Sequence, residues 1–383
     1  MTAPNLTKGT PIPDGLFDGA VARILELQRP DGSIPWYDGG VFDPWNHIEA
    51  AMALDVMGYR DEAVRAYQHL ADTQLDEGSW WMEMGSAVPL DEDEQRYTGE
   101  EEQQKKYERD TNCAAYIATG IWHHYVLTED MEFLRRFWPT VKAAFAFVVS
   151  HQSEHGDIRW ASRNTDAPDD ALITASSSIH KSLEHAAHIA ATLGETELAR
   201  AWIASREALG NALRTKPHRF DRTWEPKSQF SMDWYYPVLG GAFTGEAANK
   251  KLASRWDEFV HEGMGCRCVV HEPWVTVAES AELCLALLGA GQRDRAEQML
   301  AWQHNHRDDT GAYWMGIQTE VGKPWPAERP AWTAGAVILA ADAVTQTTEA
   351  ANVLIEHTLP DVSNVEALQQ RQRANKRYPP KQP

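Results

Sequence analysis

Apolar residues recur every three to four positions along almost the whole chain, and alternation of apolar with polar residues is scarce. That pattern predicts helices and few strands. The segments read as helical are Leu16–Gln28, Trp45–Met57, Arg60–Gln74, Asp110–Leu127, Glu129–His151 and Ser176–Leu193. Glu195–Arg214, Ser231–Gly240, Glu246–Val260, Val275–Leu288, Gln292–His304 and Trp332–Val344 complete the set. Gly58 follows the second segment as a C-terminal glycine should, and Asp110-Thr111-Asn112 opens the fourth with good N-terminal residues.

The connections carry the architecture. Short links, usually with glycine, follow the even-numbered helices. Long links follow the odd-numbered ones, at 29–44, 75–109, 152–175, 215–230, 261–274 and 305–331. Neighbouring helices run antiparallel, so all long links emerge on one face. A closed ring of six hairpins, an all-α (α/α)6 barrel with the even helices inside, is the simplest solution. One domain is expected over 1–360, with a polar, Pro-rich tail over 361–383.

Composition narrows the partners. The formal charge of −20, from 36 Lys+Arg against 56 Asp+Glu, argues against nucleic acid or an anionic membrane. No apolar run is long enough to cross a bilayer and the N-terminus has no apolar signal core, so a cytoplasmic protein is expected. The four cysteines do not form a disulfide framework. Cys266-Arg267-Cys268, between His261 and His271, is better read as small buried thiols than as a metal site, and no metal or cofactor is expected.

Tryptophan changes the picture: there are 16, against 10 Phe and 11 Tyr. Most fall in the long links or at the starts of inner helices, among them Trp36, Trp45, Trp80, Trp160, Trp234, Trp274, Trp314, Trp325 and Trp332. Indoles beside carboxylates on one face suit a carbohydrate groove, where flat apolar rings meet sugar C–H faces. Four glycine turns ending in Trp (31–36, 77–80, 156–160 and 310–314) serve equally well as scaffold, docking an indole on a helix pair.

No phosphate loop, nucleophile elbow or H-E-x-x-H motif is present. Carboxylates on the long-link face are what remains, and glycosidic hydrolysis needs two. Asp43 precedes Pro44-Trp45-Asn46-His47 at the mouth of an inner helix, as an N-cap or as a groove acid. Glu262 lies in a Gly-rich loop whose apolar residues would raise its pKa, as a general acid requires; a solvated loop acid is the alternative. Glu272 and Glu320 are back-up acids. Trp36, Tyr37, Trp45, His47, Asp110, Asn112, His180, Asp233, Trp234, Tyr235, Tyr236, Arg267, Trp274 and Trp314 are candidate sugar contacts, with helix capping or core packing the plainer role for several of them. The acidic runs Asp91–Glu94 and Glu100–Glu102 suit a solvated flap.

Phe42-Asp43-Pro44-Trp45-Asn46-His47, Ser231-Met232-Asp233-Trp234-Tyr235-Tyr236-Pro237 and the segment from Cys266 to Thr276 resemble an actinobacterial group often labelled prenyltransferase-like for its α/α toroid. Within that group the chain is most similar to the methylmannose polysaccharide hydrolases. The resemblance runs from Gly15 to about Val344. It implies an inverting, endo-acting α-1,4-mannosidase on a six-hairpin barrel, with Asp43 and Glu262 as catalytic pair and an oligo- or polysaccharide as partner. Rival readings are a sugar 2-epimerase using His180 and His261, a non-catalytic glycan-binding toroid, and a terpene cyclase, whose D-x-D-D motif is missing.

Overall fold

A computed structural model describes residues 6–7, 12–85, 109–162, 170–222 and 227–363. Both acidic runs, Asp91–Glu94 and Glu100–Glu102, lie outside the described residues, as does the tail beyond Ser363.

Six inner helices form a closed ring. They are α2 (Pro44–Val56), α5 (Ile117–Thr128), α7 (Ile173–Leu193), α9 (Ser231–Leu239), α12 (Val277–Gly289) and α14 (Ala331–Thr345). Each packs against the next, and α14 returns to α2. Outside them stand α1 (Asp18–Leu27), α3 (Arg60–Thr73), α6 (Met131–Ser150), α8 (Thr196–Thr215), α10 (Gly245–Ala253) and α13 (Arg293–Gln303). The short helices α4 (Thr111–Ala115) and α11 (Trp256–Phe259) complete the described set. This is the (α/α)6 barrel.

The two rings differ in sequence because they differ in surroundings. Outer helices such as α3 and α8 are amphipathic, whereas α2, α12 and α14 are buried on nearly every side and rich in Ala, Leu and Val. Gly335 permits a close approach of α14 to α2, since a Cβ there would stand 3.1 Å from the Glu49 carbonyl oxygen. At the end of α2, Gly58 takes φ +85°, with Tyr59 N–H donating to Leu54 O and Gly58 N–H to Asp55 O. That is the Schellman end its position predicts.

The glycine turns are scaffold. Gly32, Gly78 and Gly156 take φ of +92°, +96° and +95°, and their missing Cβ atoms let them lie on the backbones of Arg65, Ala143 and Ala208 in the next outer helix. Gln28, Gln74 and Gln152 clamp these turns, each donating to the glycine's carbonyl and to a carbonyl of the outer helix reached (Glu62, Thr140 and Ser205). Gly311 closes the set against Gly19 of α1.

Two segments depart from the expected helices. Asp110–Leu127 is broken at Tyr116, and Glu246–Val260 breaks after Ala253. The second break leads into an antiparallel five-stranded meander that the sequence pattern did not predict. Its strands are β3 (Val260–His261), β4 (Gly265–Arg267), β5 (Trp274–Thr276), β6 (Gly316–Gln318) and β7 (Lys323–Pro324). A two-stranded pair, β1 (Arg109–Asp110) with β2 (Ala161–Ser162), lies elsewhere among the long links. Strands of two or three residues are too short for period-2 alternation to show.

Candidate active site

Asp43 caps α2, taking the Asn46 N–H on Oδ1 at 2.9 Å. Its Oδ2 accepts from Trp36 Nε1 at 2.7 Å and Asn46 Nδ2 at 2.6 Å, and the Cys113 thiol approaches Oδ1 at 3.9 Å. Asp43 is thus the cap of α2 and a buried acid held by neutral donors. Burial pushes its pKa up against the pull of these donors. No cation is among its hydrogen-bond partners.

Beneath it the same helix carries Glu49. Trp45 Nε1 donates to Glu49 Oε1 at 3.0 Å and Tyr116 OH to the same oxygen at 3.1 Å. Trp45 meets Tyr116 at 5.8 Å between ring centroids and Tyr236 edge-on at 5.6 Å. Tyr236 OH donates to Glu282 Oε1 at 2.5 Å, and Tyr235 OH donates to Glu282 Oε2. Trp45, Tyr116 and Tyr236 form a floor across the ring, with Glu49 and Glu282 as its acceptors. Burial raises both carboxyls, Glu49 to about 7 with Asp43 and Glu279 adding to it, and Glu282 with Glu49 and Glu279 adding to it. Below the floor is a narrow cavity of about 30 Å³, lined by Glu49, Glu282, Ser178, Lys181 and Leu354 among others. That is room for roughly two waters.

Two places round the ring from α2, the mouth is lined by α12 and the meander. Glu279, in the first turn of α12, is partly exposed and close enough to raise Glu282, Cys266 and Cys268. A further acid pair joins α7 and α9. Asp233 Oδ1 accepts from Thr174 Oγ1 at 2.7 Å, and its other oxygen faces Asp221. Burial raises both; the Asp233 charge raises Asp221 further, to about 8, while a hydrogen bond with Asp221 pulls Asp233 down, so Asp221 is the member that holds the proton at neutral pH.

Trp36, Tyr37, Trp45, Trp274 and Trp314 are partly exposed among the long links, and Tyr236 lies in the floor. Asp110 is the N-cap of α4, accepting from the Asn112 and Cys113 N–H groups; Asn112 is buried beside it. Four candidates face away from the groove. His47 accepts from Ile34 N–H at 3.1 Å and bonds Ala66 O of outer helix α3 at 2.9 Å, and burial lowers it to about 4. Trp234 donates to Lys251 O and stacks on Phe259. Arg267 reaches back to Glu258 O, on the sheet face opposite Cys266. His180 bonds Gly240 O at 2.7 Å at the short-link end and lies against Gly210 of outer helix α8. His261 is on the long-link side, so the structure does not bring the two epimerase histidines together.

Glu262 occupies the β3–β4 turn and is exposed, so the apolar enclosure expected around it is not there. The turn rests on the outer-ring side, where Met264 O accepts from Gln303 and His306. Glu272 and Glu320 are also exposed. The sequence reading missed Glu49, Glu279 and Glu282. A signal existed: α2 and α12 carry these acids with no Lys or Arg anywhere in either helix. Among the described residues no group of three or more His, Cys, Asp or Glu is placed to hold a metal.

A relative from Mycolicibacterium hassiacum, an MMP endo-(1,4)-3-O-methyl-α-D-mannosidase, is 40% identical over 325 residues, covering 85% of each chain. The chain belongs to this mannosidase family. It is accordingly a glycoside hydrolase. No family model matches it. Solved structures share its fold at low identity. A glycosidase variant in complex with glucose matches with TM-score 0.64 and 13% identity, over 87% of this chain and 96% of that one. A bacterial glucoamylase complexed with acarbose gives 0.64 and 11%, over 91% and 56%. A D-mannose isomerase gives 0.61 and 11%, over 86% and 96%. No described helix is long and apolar enough to cross a membrane.

Proposed function

We propose that the chain cleaves internal α-1,4 bonds of a partly O-methylated mannose polysaccharide, with Asp43 as one of two catalytic carboxyls. The observation that carries the reading is a buried, cation-free acid at the mouth of an inner helix, above an aromatic floor, in a chain 40% identical to a methylmannosidase. Methyl groups make a sugar more apolar, which matches indole and phenol rings. The four cysteines are free, which fits a reducing, cytoplasmic setting.

Burial favours the protonated form of Asp43, the direction a general acid needs. Its partner then belongs on the α12–meander wall. Glu279 suits the role of base: it is partly exposed at an inner helix N-terminus, where a negative charge is favoured. Glu262, the pair member implied by the resemblance, would have to reach the groove from its turn. An inverting enzyme needs its two carboxyls about 6.5–9.5 Å apart, with space for water.

Incubating the protein with methylmannose oligosaccharides and following products by mass spectrometry and proton NMR tests this. Shortened chains whose new reducing ends first appear as the β-anomer support inverting hydrolysis; an isomerised sugar of unchanged mass would replace the reading. Glu279→Gln and Glu262→Gln identify the second carboxyl, because loss of turnover with retained affinity marks the catalytic one.

A further inference from the structure

We propose that Trp325, backed by Trp274, is a second sugar-binding platform on the meander wall, taking a methylated hexose unit of the same chain some way from the bond being cut. The proposal rests on the glycan-cleaving reading above and adds to it a subsite outside the reacting pair.

The placement follows from strand register. Trp274 pairs with Gln318 and Thr276 with Gly316, while β6 pairs with β7 so that Ile317 faces Pro324. The same register sets Trp325, just past β7, across from Gly316, and Trp325 N–H bonds Gly316 O at 3.0 Å. Alternate residues of a strand share a face. Cys266, Thr276, Gly316, Trp274 and Trp325 therefore lie on one side of the sheet. Cys266 is the inner end of that row: it is buried, its N–H donates to Ser280 of α12, and burial, with Glu279 and Glu282 nearby, raises its thiol. The face that looks into the barrel mouth at Cys266 thus continues outward to the two indoles.

At that outer end the surface is unusual. Trp325 is 57% exposed, and Val321 at the neighbouring β6–β7 turn is 63% exposed, against a handful of large exposed apolar residues among those described. The indole is held in place: Trp274 meets it edge-on at 5.3 Å and 83°. Gln318 and Lys323 form the neighbouring cross-strand pair on the same face, and Gln318 bonds Glu320. A rigid, exposed aromatic face with a polar rim suits a ring that is apolar on one side and hydroxylated at its edge. β7 stands two strands from β5, about 10 Å across the sheet. That offset is too large for contact with the bond next to Glu279 and suits a unit farther along a polymer.

The test compares initial rates on full-length methylmannose polysaccharide and on an oligosaccharide too short to reach the meander, for wild type, Trp325→Phe and Trp325→Ala. For Trp325→Ala, KM on the polymer should rise about three- to tenfold with kcat unchanged, the range expected for one lost aromatic contact. The short substrate should be unaffected, Trp325→Phe should restore most of the loss, and the melting temperature should stay put. Equal effects on both substrates, or none on either, would overturn the platform. So would a Trp325→Ala variant that changes oligomeric state by size-exclusion while binding polymer normally. If wild type cuts neither substrate, the hydrolase reading fails instead, and polymer affinity of wild type against Trp325→Ala by calorimetry still decides the platform: a weaker variant supports it, equal affinity removes it.

Discussion

Buried acids occur at both ends of this barrel, and they are treated differently. At the short-link end each has a partner that answers its charge or fills its lone pairs. Asp55 meets His124 Nδ1 at 2.9 Å. Glu184 holds Lys181 at 2.8 Å and Arg206 at 2.7 Å, and takes the Thr358 N–H besides. Asp342 is bonded by Thr348 through N–H and hydroxyl. The chain after α14 is stitched across this end, with Val353 O on His185 and Glu356 O on Lys181. At the long-link end Asp43, Glu49, Glu282 and Asp233 are bonded by indoles, phenols, hydroxyls and amides, without a cation. Neutral donors offset only part of the desolvation cost, so these carboxyls are pushed toward their protonated forms. Burial raises Asp55 and Asp342 at the short-link end as well, where of these three Glu184 alone is held by two cations; the long-link acids Asp43, Glu49 and Glu282 differ in crowding one another.

The contrast can be broken in a graded way. Asp43→Asn keeps the cap bond to Asn46 N–H but turns an amide NH2 toward the Trp36 and Asn46 side-chain donors and removes the acidic proton, and should lower kcat by about 10²–10⁴-fold with affinity little changed; steady-state rates on methylated oligosaccharides check it. At the other end Glu184→Ala leaves Lys181 and Arg206 buried without their anion, and should cost about 3–5 kcal/mol of stability by denaturant unfolding. Glu282→Gln removes a carboxyl of similar depth but no cation loses a partner, so the stability loss should be smaller than for Glu184→Ala by the same measurement.

The pH dependence should separate the ends further. Glu49 sits at about 7 in the folded protein against 4.5 unfolded. Between those values the folded state binds more protons, so this group's contribution falls as pH rises from 4.5 to 7 and is fully lost above that. Glu49→Gln should flatten the stability–pH curve in that window, by on the order of 1–3 kcal/mol across it. His47 works oppositely: lowered to about 4 from 6.5, it withdraws stability as pH falls through that interval. Its contribution should survive the Glu49→Gln substitution, visible as residual acid sensitivity below pH 6.5.

The fold was legible because spacing and link length are sequence properties. Alternating short and long links, Gly58 and the all-round apolar α14 each read directly as ring, end and inner wall. Around the candidate site, the helix cap at Asp43-Pro44-Trp45 was legible as a motif. Orientation was not: His47, Trp234 and His180 have the right chemistry on the right helices, yet their side chains turn toward the outer ring. Glu49 and Glu282 were hidden for a related reason. An acid inside a helix normally marks a solvated face, and here the ring closes around it.

The most direct test of the account is the rate of Asp43→Asn on a methylmannose oligosaccharide, measured beside its affinity and its melting temperature. A folded variant that binds normally and releases no shortened product is the predicted result. Turnover within a few-fold of wild type would contradict it, and would leave Asp43 as nothing more than the cap of its helix.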